Sequence, residues 1–316
     1  MRDAYIVQSV RTPGCKQKRG KFNQTRPEEL ISFIMKAAVE KTENLEPEHL
    51  DDVMLGCAFP EAEQGLNLGR IAPKMAGFPD RVSGATVNRF CASGLEAIAL
   101  ASIRVQMGWS EVTMGAGVES MTFVPMGGYN PRPHPEFTVT NPEMYISMGV
   151  TAENVASRYN ISREDQDKFA AASQAKALAA RDNGLFTEIV PTPAYNYVKQ
   201  ADNTYKKESF MVEHDDGIRA SSAEGLAKLR PVFNAMGSVT AGNSSQTTDG
   251  AAATIIASKE KCDELGLTPI ARLVSYSTVG CKSDEMGVGP RYAIPKVLEQ
   301  AGLTIDDIDI YEINEA

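Results

Sequence analysis

The sequence predicts an α/β fold interrupted by an inserted loop domain. Three observations carry that expectation. Short β-branched segments alternate with helix-period segments through residues 1–119. A proline-crowded stretch, 120–239, then breaks the alternation, with Pro125, Pro131, Pro133, Pro135 and Pro142 in quick succession. Beyond Gly242 the strand-and-helix texture resumes. Alternating strands and helices predict a mainly parallel sheet covered on both faces.

Element by element, Tyr5–Val10 reads as a strand closed by Arg11-Thr12-Pro13-Gly14. Thr25 begins a helix, with Glu28 at capping-box spacing and Leu30, Phe33, Ile34, Ala37 and Ala38 at helical period. Asp52–Cys57 is the next strand, and Asn67–Ala76 a short helix before Gly77. Val82–Val87 is extended, Leu95–Met107 is a helix stopped by Gly108, and Val112–Gly117 is a buried strand. Within the proline-rich block, Ser162 caps one clear helix that ends at Asn183-Gly184. Ala251–Ala257 then forms a strand. Strands at Arg272–Ser277 and Asp309–Ile313 flank a helix over Ala293–Ala301, stopped by Gly302.

This last run repeats the opening order of strand, loop, helix, acidic turn and strand, a weak internal duplication. The domains expected are 1–119, completed by 240–268, as a first core; 120–239 as a loop domain over the active site; and 269–316 as the start of a second core. The second copy halts just after a strand, so the sequence reads as truncated.

Composition excludes several classes. At 316 residues, with 42% hydrophobic and 23% charged residues, the chain has the content of a water-soluble globular protein. No apolar run approaches the roughly 20 residues that span a bilayer. Strand-like sequence starts almost at Met1, leaving no room for a leader, and a cytoplasmic location is expected. A net charge of −9 argues against nucleic acid as partner, though a local basic patch can still hold an anionic ligand. The five cysteines (15, 57, 91, 262 and 281) are scattered, with no C-x-x-C pair, which fits reduced thiols and no metal site.

Among them Cys91 stands out. It sits where the Val82–Val87 segment turns into the helix from Leu95, so the sulfur is expected to face free N–H groups and the positive end of the helix dipole. The helix looks apolar all round and therefore buried. Location alone serves equally well for a small core cysteine.

The residues around Cys91 decide between these. Val87-Asn88-Arg89-Phe90-Cys91-Ala92-Ser93-Gly94 resembles the acyl-accepting cysteine loop of the thiolase family, closest to its degradative 3-ketoacyl-CoA thiolases. Gly117-Val118-Glu119-Ser120-Met121 is similar to the segment after that family's third core strand. Thr240-Ala241-Gly242-Asn243-Ser244-Ser245, with Asp249-Gly250-Ala251-Ala252, is similar to the segment re-entering the core beside CoA. Asn314-Glu315-Ala316 resembles the start of its Asn-Glu-Ala-Phe block.

The resemblance spans essentially the whole chain and implies a duplicated βαβαβαββ core of layered helices and mixed sheets with a loop-domain insertion, its second half incomplete here. It implies Cys91 as nucleophile and acyl carrier, with its own N–H donating to the acyl oxygen, and Asn314 as the holder of a polarising water. Without the resemblance Asn314 would be an ordinary turn residue. Arg219, in the basic island running to Lys228-Leu229-Arg230, is placed against the CoA nucleotide, although a lone Arg is more often plain surface charge. Ser245 is placed against the pantetheine arm and Met148 beside the acyl pocket, a pliant wall. Ser147 stands where biosynthetic members have a histidine, which leans towards longer, degradative substrates.

The family's Gly-His-Pro histidine and Cys-x-Gly second cysteine have no counterpart in the sequence, so the chain alone is expected to be inactive. His49, His134 and His214 lack that context, and Cys57, Cys262 and Cys281 read as structural. Glu119 reads as a strand-end hydrogen-bonding group. The expected activity is thiolysis of 3-ketoacyl-CoA in fatty-acid β-oxidation by a homodimer or dimer of dimers. CoA is a substrate, and no resident cofactor, metal, nucleic acid or membrane span is expected. The alternatives are a condensing acetoacetyl-CoA thiolase and a non-catalytic CoA- or lipid-binding protein.

Overall fold

The computed structural model describes residues 2–315. In chain order the elements are β1 (Ala4–Arg11), β2 (Cys15–Lys16), α1 (Pro27–Glu40), β3 (Asp52–Gly56), α2 (Leu68–Met75), β4 (Ser83–Val87), α3 (Ser93–Gln106) and β5 (Val112–Ser120). Then come α4 (Pro135–Thr140), α5 (Met148–Arg158), α6 (Arg163–Asp182), β6 (Thr192–Lys199), β7 (Tyr205–Val212) and α7 (Ala223–Leu226). The last are β8 (Thr248–Ser258), α8 (Lys259–Leu265), β9 (Ala271–Arg272) and α9 (Gly289–Ala301).

Contacts divide the chain into two compact units. The first joins 1–131, 186–217 and 247–273; the second joins 132–185, 218–246 and 274–316. The stretch 120–239, expected as one insertion, contributes to both.

The first unit is built on a sheet of order β4-β3-β5-β8-β1-β9, with β2 paired to β8. Only β3–β4 and β3–β5 are parallel; β8 runs antiparallel to β5, β1 and β2, and β9 antiparallel to β1. The sheet is mixed, which corrects the expectation of a mainly parallel one. Alternation cannot reveal that the long apolar strand β8 returns between β5 and β1. Neighbouring side chains on one strand serve opposite faces. Val53, Leu55 and Ile255 join Leu30, Ile31 and Ile34 of α1 in one cluster, while Met54 and Ile256 join Ala97, Ala101 and Val105 of α3 in another. Both faces are thus covered.

Three local expectations change. The first helix starts at Pro27, with Arg26 as cap, and the Arg26 N–H donates to the Glu29 carboxylate at 3.3 Å. Thr25 is not the cap: its hydroxyl oxygen accepts the Tyr195 N–H (3.3 Å) of the β6–β7 hairpin, and proline favours the first helical position. Helix α3 is not buried all round: Leu95 is 58% exposed and Ile103 36%. The expected strand at Arg272–Ser277 shrinks to Ala271–Arg272, and Asp309–Ile313 forms no strand among the described residues. The second copy of the strand order is therefore not realised among them.

The second unit consists of helices and connecting segments, with no strand among its described residues. Helix α6 forms as expected: Ser162 Oγ accepts the Asp165 N–H at 3.1 Å, and Gly184 follows at φ +66°. No helix among the described residues is long and apolar enough to cross a membrane.

Candidate active site

Cys91 lies between β4 and α3, two residues before the first helical residue, and is exposed. The turn that presents it is backbone-determined. Phe90 adopts φ +46°, rare for an L-residue, and its N–H donates to Asn88 Oδ1 at 2.8 Å. Ser93, buried at the start of α3, accepts the Arg89 N–H (2.8 Å) and donates its hydroxyl to the Phe90 carbonyl (2.6 Å). Arg89 pairs with Glu96 at 2.5 Å, one turn into the helix. Residues 88–96 are thus tied to one another around the sulfur.

Beneath this turn, Gly56 ends β3, and a Cβ there would lie 2.3 Å from the Ser93 carbonyl. At Gly115 on β5 a Cβ would lie 2.6 Å from Ile98 Cα. Helix α3 therefore rests directly on the backbone of β3 and β5. The junction of strand and helix expected from sequence is present, and it is the absence of side chains below it that sets its height.

The remaining thiols are less exposed than Cys91. Burial, reinforced by the negative charge of Glu119, pushes Cys57 up to about 12. Burial, with Asp216 nearby, also pushes Cys15 to about 12. Cys262 is raised as well, chiefly by burial. All three are held as neutral thiols at physiological pH, while Cys281 is half-buried. Reading Cys57 and Cys262 as structural agrees with this.

Glu119, at the end of β5, accepts the Ala58 N–H (2.7 Å) and Gln64 Nε2–H (2.7 Å), as a strand-end acceptor should. Burial raises its pKa above the ordinary carboxylate value, against the lowering pull of those donors. His49 Nδ1 accepts the Glu46 N–H (3.0 Å) and His134 Nδ1 the Phe137 N–H (3.3 Å), so both imidazoles serve local turns.

Met148, Arg219, Ser245 and Asn314 all belong to the second unit, and Cys91 to the first. Met148 opens α5, half-buried, and its carbonyl accepts the Thr151 hydroxyl at 2.7 Å. Arg219, Ser245 and Asn314 are exposed. Helix α6 ties their three segments down. Gln174 Oε1 accepts the Arg219 N–H (3.0 Å), and the Ser173 hydroxyl donates to Glu315 beside Asn314 (2.7 Å). Asp167 accepts from Asn243 Nδ2 (3.0 Å), two residues before Ser245. Asp167 is buried and also meets Arg163 at 2.8 Å. Sequence reading assigns α6 a boundary but no role; Asp167, four residues after Arg163, was the available signal. Ala316, which completes the Asn-Glu-Ala block, lies outside the described residues. Among the described residues no three His, Cys, Asp or Glu side chains are grouped to hold a metal ion.

Comparison with known proteins places these features. The family model for the thiolase N-terminal domain matches residues 4–260, and that for the thiolase C-terminal domain residues 267–316. The chain belongs to the thiolase family.

A 3-ketoacyl-CoA thiolase of Bacillus subtilis is 43% identical over 318 residues, covering 100% of this chain and 81% of that protein. The human peroxisomal 3-ketoacyl-CoA thiolase is 45% identical over 324 residues, covering 99% and 73% respectively. Among solved structures, an acetyl-CoA acetyltransferase of Bacillus anthracis superposes with a TM-score of 0.88 at 37% identity, covering 100% of this chain and 80% of that one. The dimeric peroxisomal thiolase of Saccharomyces cerevisiae gives 0.86 at 33%, covering 100% and 79%. The chain thus has the thiolase fold and is an acyltransferase by family. The expectation of truncation, and of inactivity on that account, is not supported by these matches, which take in the whole chain.

Proposed function

We propose that this thiolase cleaves 3-ketoacyl-CoA with CoA, through an acyl group carried on Cys91, in the degradative direction of fatty-acid β-oxidation. The observation that carries the reading is the contrast among the thiols: Cys91 alone is exposed, at a helix-starting turn, while Cys15, Cys57 and Cys262 are buried. The relatives named 3-ketoacyl-CoA thiolase support the substrate class.

In the first half-reaction the Cys91 thiolate attacks the 3-carbonyl of the substrate and the new S–C bond forms. The C2–C3 bond then breaks, its electron pair passes to C2, and C2 takes a proton to leave as acetyl-CoA. In the second, the CoA thiol, losing its proton, attacks the Cys91 thioester and the shortened acyl-CoA departs, regenerating the thiolate. The Cys91 N–H donates to the acyl oxygen, and Asn314 orients a water towards the thioester oxygen of the substrate, where charge collects as C2 departs. Arg219 meets the CoA phosphates, Ser245 its pantetheine arm, and Met148 the acyl chain. CoA is a substrate and no bound cofactor is required. The enzyme works as a cytoplasmic homodimer or dimer of dimers; the dimeric yeast neighbour supports the association.

Incubation with radiolabelled acetyl-CoA, followed by peptide mapping, should place the label on Cys91, and Cys91→Ala should reduce CoA-dependent thiolysis to background. Label on another residue, or turnover surviving the substitution, would refute the assignment. A condensing acetoacetyl-CoA thiolase is the second reading, favoured by the similarity to the Bacillus anthracis acetyltransferase. Thiolysis of a long-chain 3-ketoacyl-CoA at a kcat/KM equal to or above that of acetoacetyl-CoA selects the first reading; confinement to acetoacetyl-CoA selects the second.

A further inference from the structure

Glu119 and Asn88 lie at the two ends of one hydrogen-bonded chain that runs through Ala58. The Ala58 N–H donates to Glu119 Oε2 at 2.7 Å, and its carbonyl accepts from Asn88 Nδ2 at 2.9 Å. Asn88 then uses its Oδ1 to accept the Phe90 N–H at 2.8 Å, immediately before Cys91. Both polar atoms of the Asn88 amide are therefore engaged, one downward to β3's end and one upward to the nucleophile's turn. Gln64, fully buried, fixes the lower end: Nε2 donates to Glu119 Oε1 (2.7 Å) and to the Phe59 carbonyl (2.9 Å), and Oε1 accepts the Ser120 N–H (2.5 Å). The Phe59 ring also meets the Phe90 ring, centroids 5.8 Å apart.

Both oxygens of Glu119 accept from protein donors, the Ala58 N–H and Gln64 Nε2–H, which fits a structural acceptor. What the chain does hold is Phe90 at φ +46°. That backbone conformation persists only when its surroundings over-determine it. Any slack in Asn88 lets Phe90 relax, and the Cys91 sulfur moves with it.

We propose that Glu119 and Asn88 are positioning residues for the Cys91 nucleophile, acting in series through the backbone N–H and carbonyl of Ala58. The proposal rests on the reading of Cys91 as nucleophile. Misplacement of a reacting group by about 1 Å costs on the order of 10²-fold, which sets the scale of the expected effect.

The test is a double-mutant cycle on the full chain with Glu119→Gln, Asn88→Ala and the pair. Cys91 alkylation by iodoacetamide is followed across pH, together with kcat and KM for thiolysis and the melting temperature. Asn88→Ala should lower kcat roughly 10²-fold with KM within about twofold, and should shift the midpoint of the Cys91 alkylation profile. Glu119→Gln should do the same to a smaller extent, and the pair should match Asn88→Ala, since serial links do not multiply. Unchanged alkylation and kcat in folded variants, or independent multiplication of the two effects, would overturn the proposal. Should Asn88→Ala fail to fold, Asn88→Asp keeps the acceptor for Phe90 while losing the donor to Ala58, and adding Glu119→Gln to it should then change nothing. A failure of the nucleophile reading shows separately, as turnover retained by Cys91→Ala.

Discussion

In the unit built on the sheet, Ile34, Leu55, Met114 and Ile255 are wholly buried, whereas in the other unit the buried apolar side chains among the described residues are Leu226 and Val239 alone. What the second unit buries besides is largely polar: Thr151, Asp167, Thr240 and Glu285. Its segments are joined by directional links. Glu153 accepts the Ser238 and Val239 N–H groups at 2.9 Å, Asp167 joins Arg163 to Asn243, and Arg158 spans Asp284 and Glu285. Apolar burial tolerates exchange of one hydrophobe for another. A buried carboxylate with two specific donors tolerates almost nothing. The sheet beneath Cys91 is the first kind of construction, and the residues proposed to hold CoA stand on the second.

The sharpest way to break this contrast is a pair of truncations. Ile34→Ala in α1 should cost about 2–5 kcal/mol, read from denaturant melts, and should raise hydrogen exchange throughout the sheet. Asp167→Ala should cost less in global stability, about 1–3 kcal/mol. Its signature is local: faster exchange in 163–185 and 218–246, weaker CoA binding by calorimetry, and unchanged protection of β3 and β5. Equal loosening of both units by Asp167→Ala would show that the polar links are not local in effect.

A smaller effect separates the units by sign. Burial raises Glu119 above its ordinary 4.5. Between 4.5 and that raised value the folded state binds the proton more tightly, so the contribution of Glu119 to stability grows as pH falls through this window. Asp284 is instead lowered below its ordinary 3.8, first by its hydrogen bond to Arg158. Its contribution is present above 3.8 and is lost as pH falls through the lowered value. Melts across acid pH should show the margin of the wild type over Glu119→Gln widening, and its margin over Asp284→Asn narrowing. Parallel slopes for both variants would contradict the assignment.

The same contrast explains what the sequence reveals. Strands β1, β3, β5 and β8 and helices α1 and α3 carry apolar periodicity, because burial of apolar faces is what forms them. The order β5-β8-β1 is invisible, since periodicity states which face is buried but not which strand lies alongside. The β6–β7 hairpin was legible in principle, from Tyr195 and Tyr197 before a polar turn at 200–204 with Asn203 at φ +65°. Prolines before it masked it as loop. Cys91 was legible from its motif, whereas the link between Asn88 and Glu119 leaves no local pattern, because Ala58, the residue joining them, is some 30 positions from one and 61 from the other. Residues 309–313 have strand-like composition without a ladder among the described residues, and composition by itself cannot supply a neighbour.

Gly56 and Gly115 give the α3 junction an unusual insulation. Because the helix leans on peptide groups, its datum is the pleat of β3 and β5, whose spacing is fixed by the hydrogen bonds that pair them. Substitutions elsewhere in the apolar interior can swell or shrink side-chain volume while leaving the reactive sulfur at the same elevation. A designer wishing to vary the surroundings of Cys91 therefore has a stationary reference point, provided those two positions keep no side chain at all.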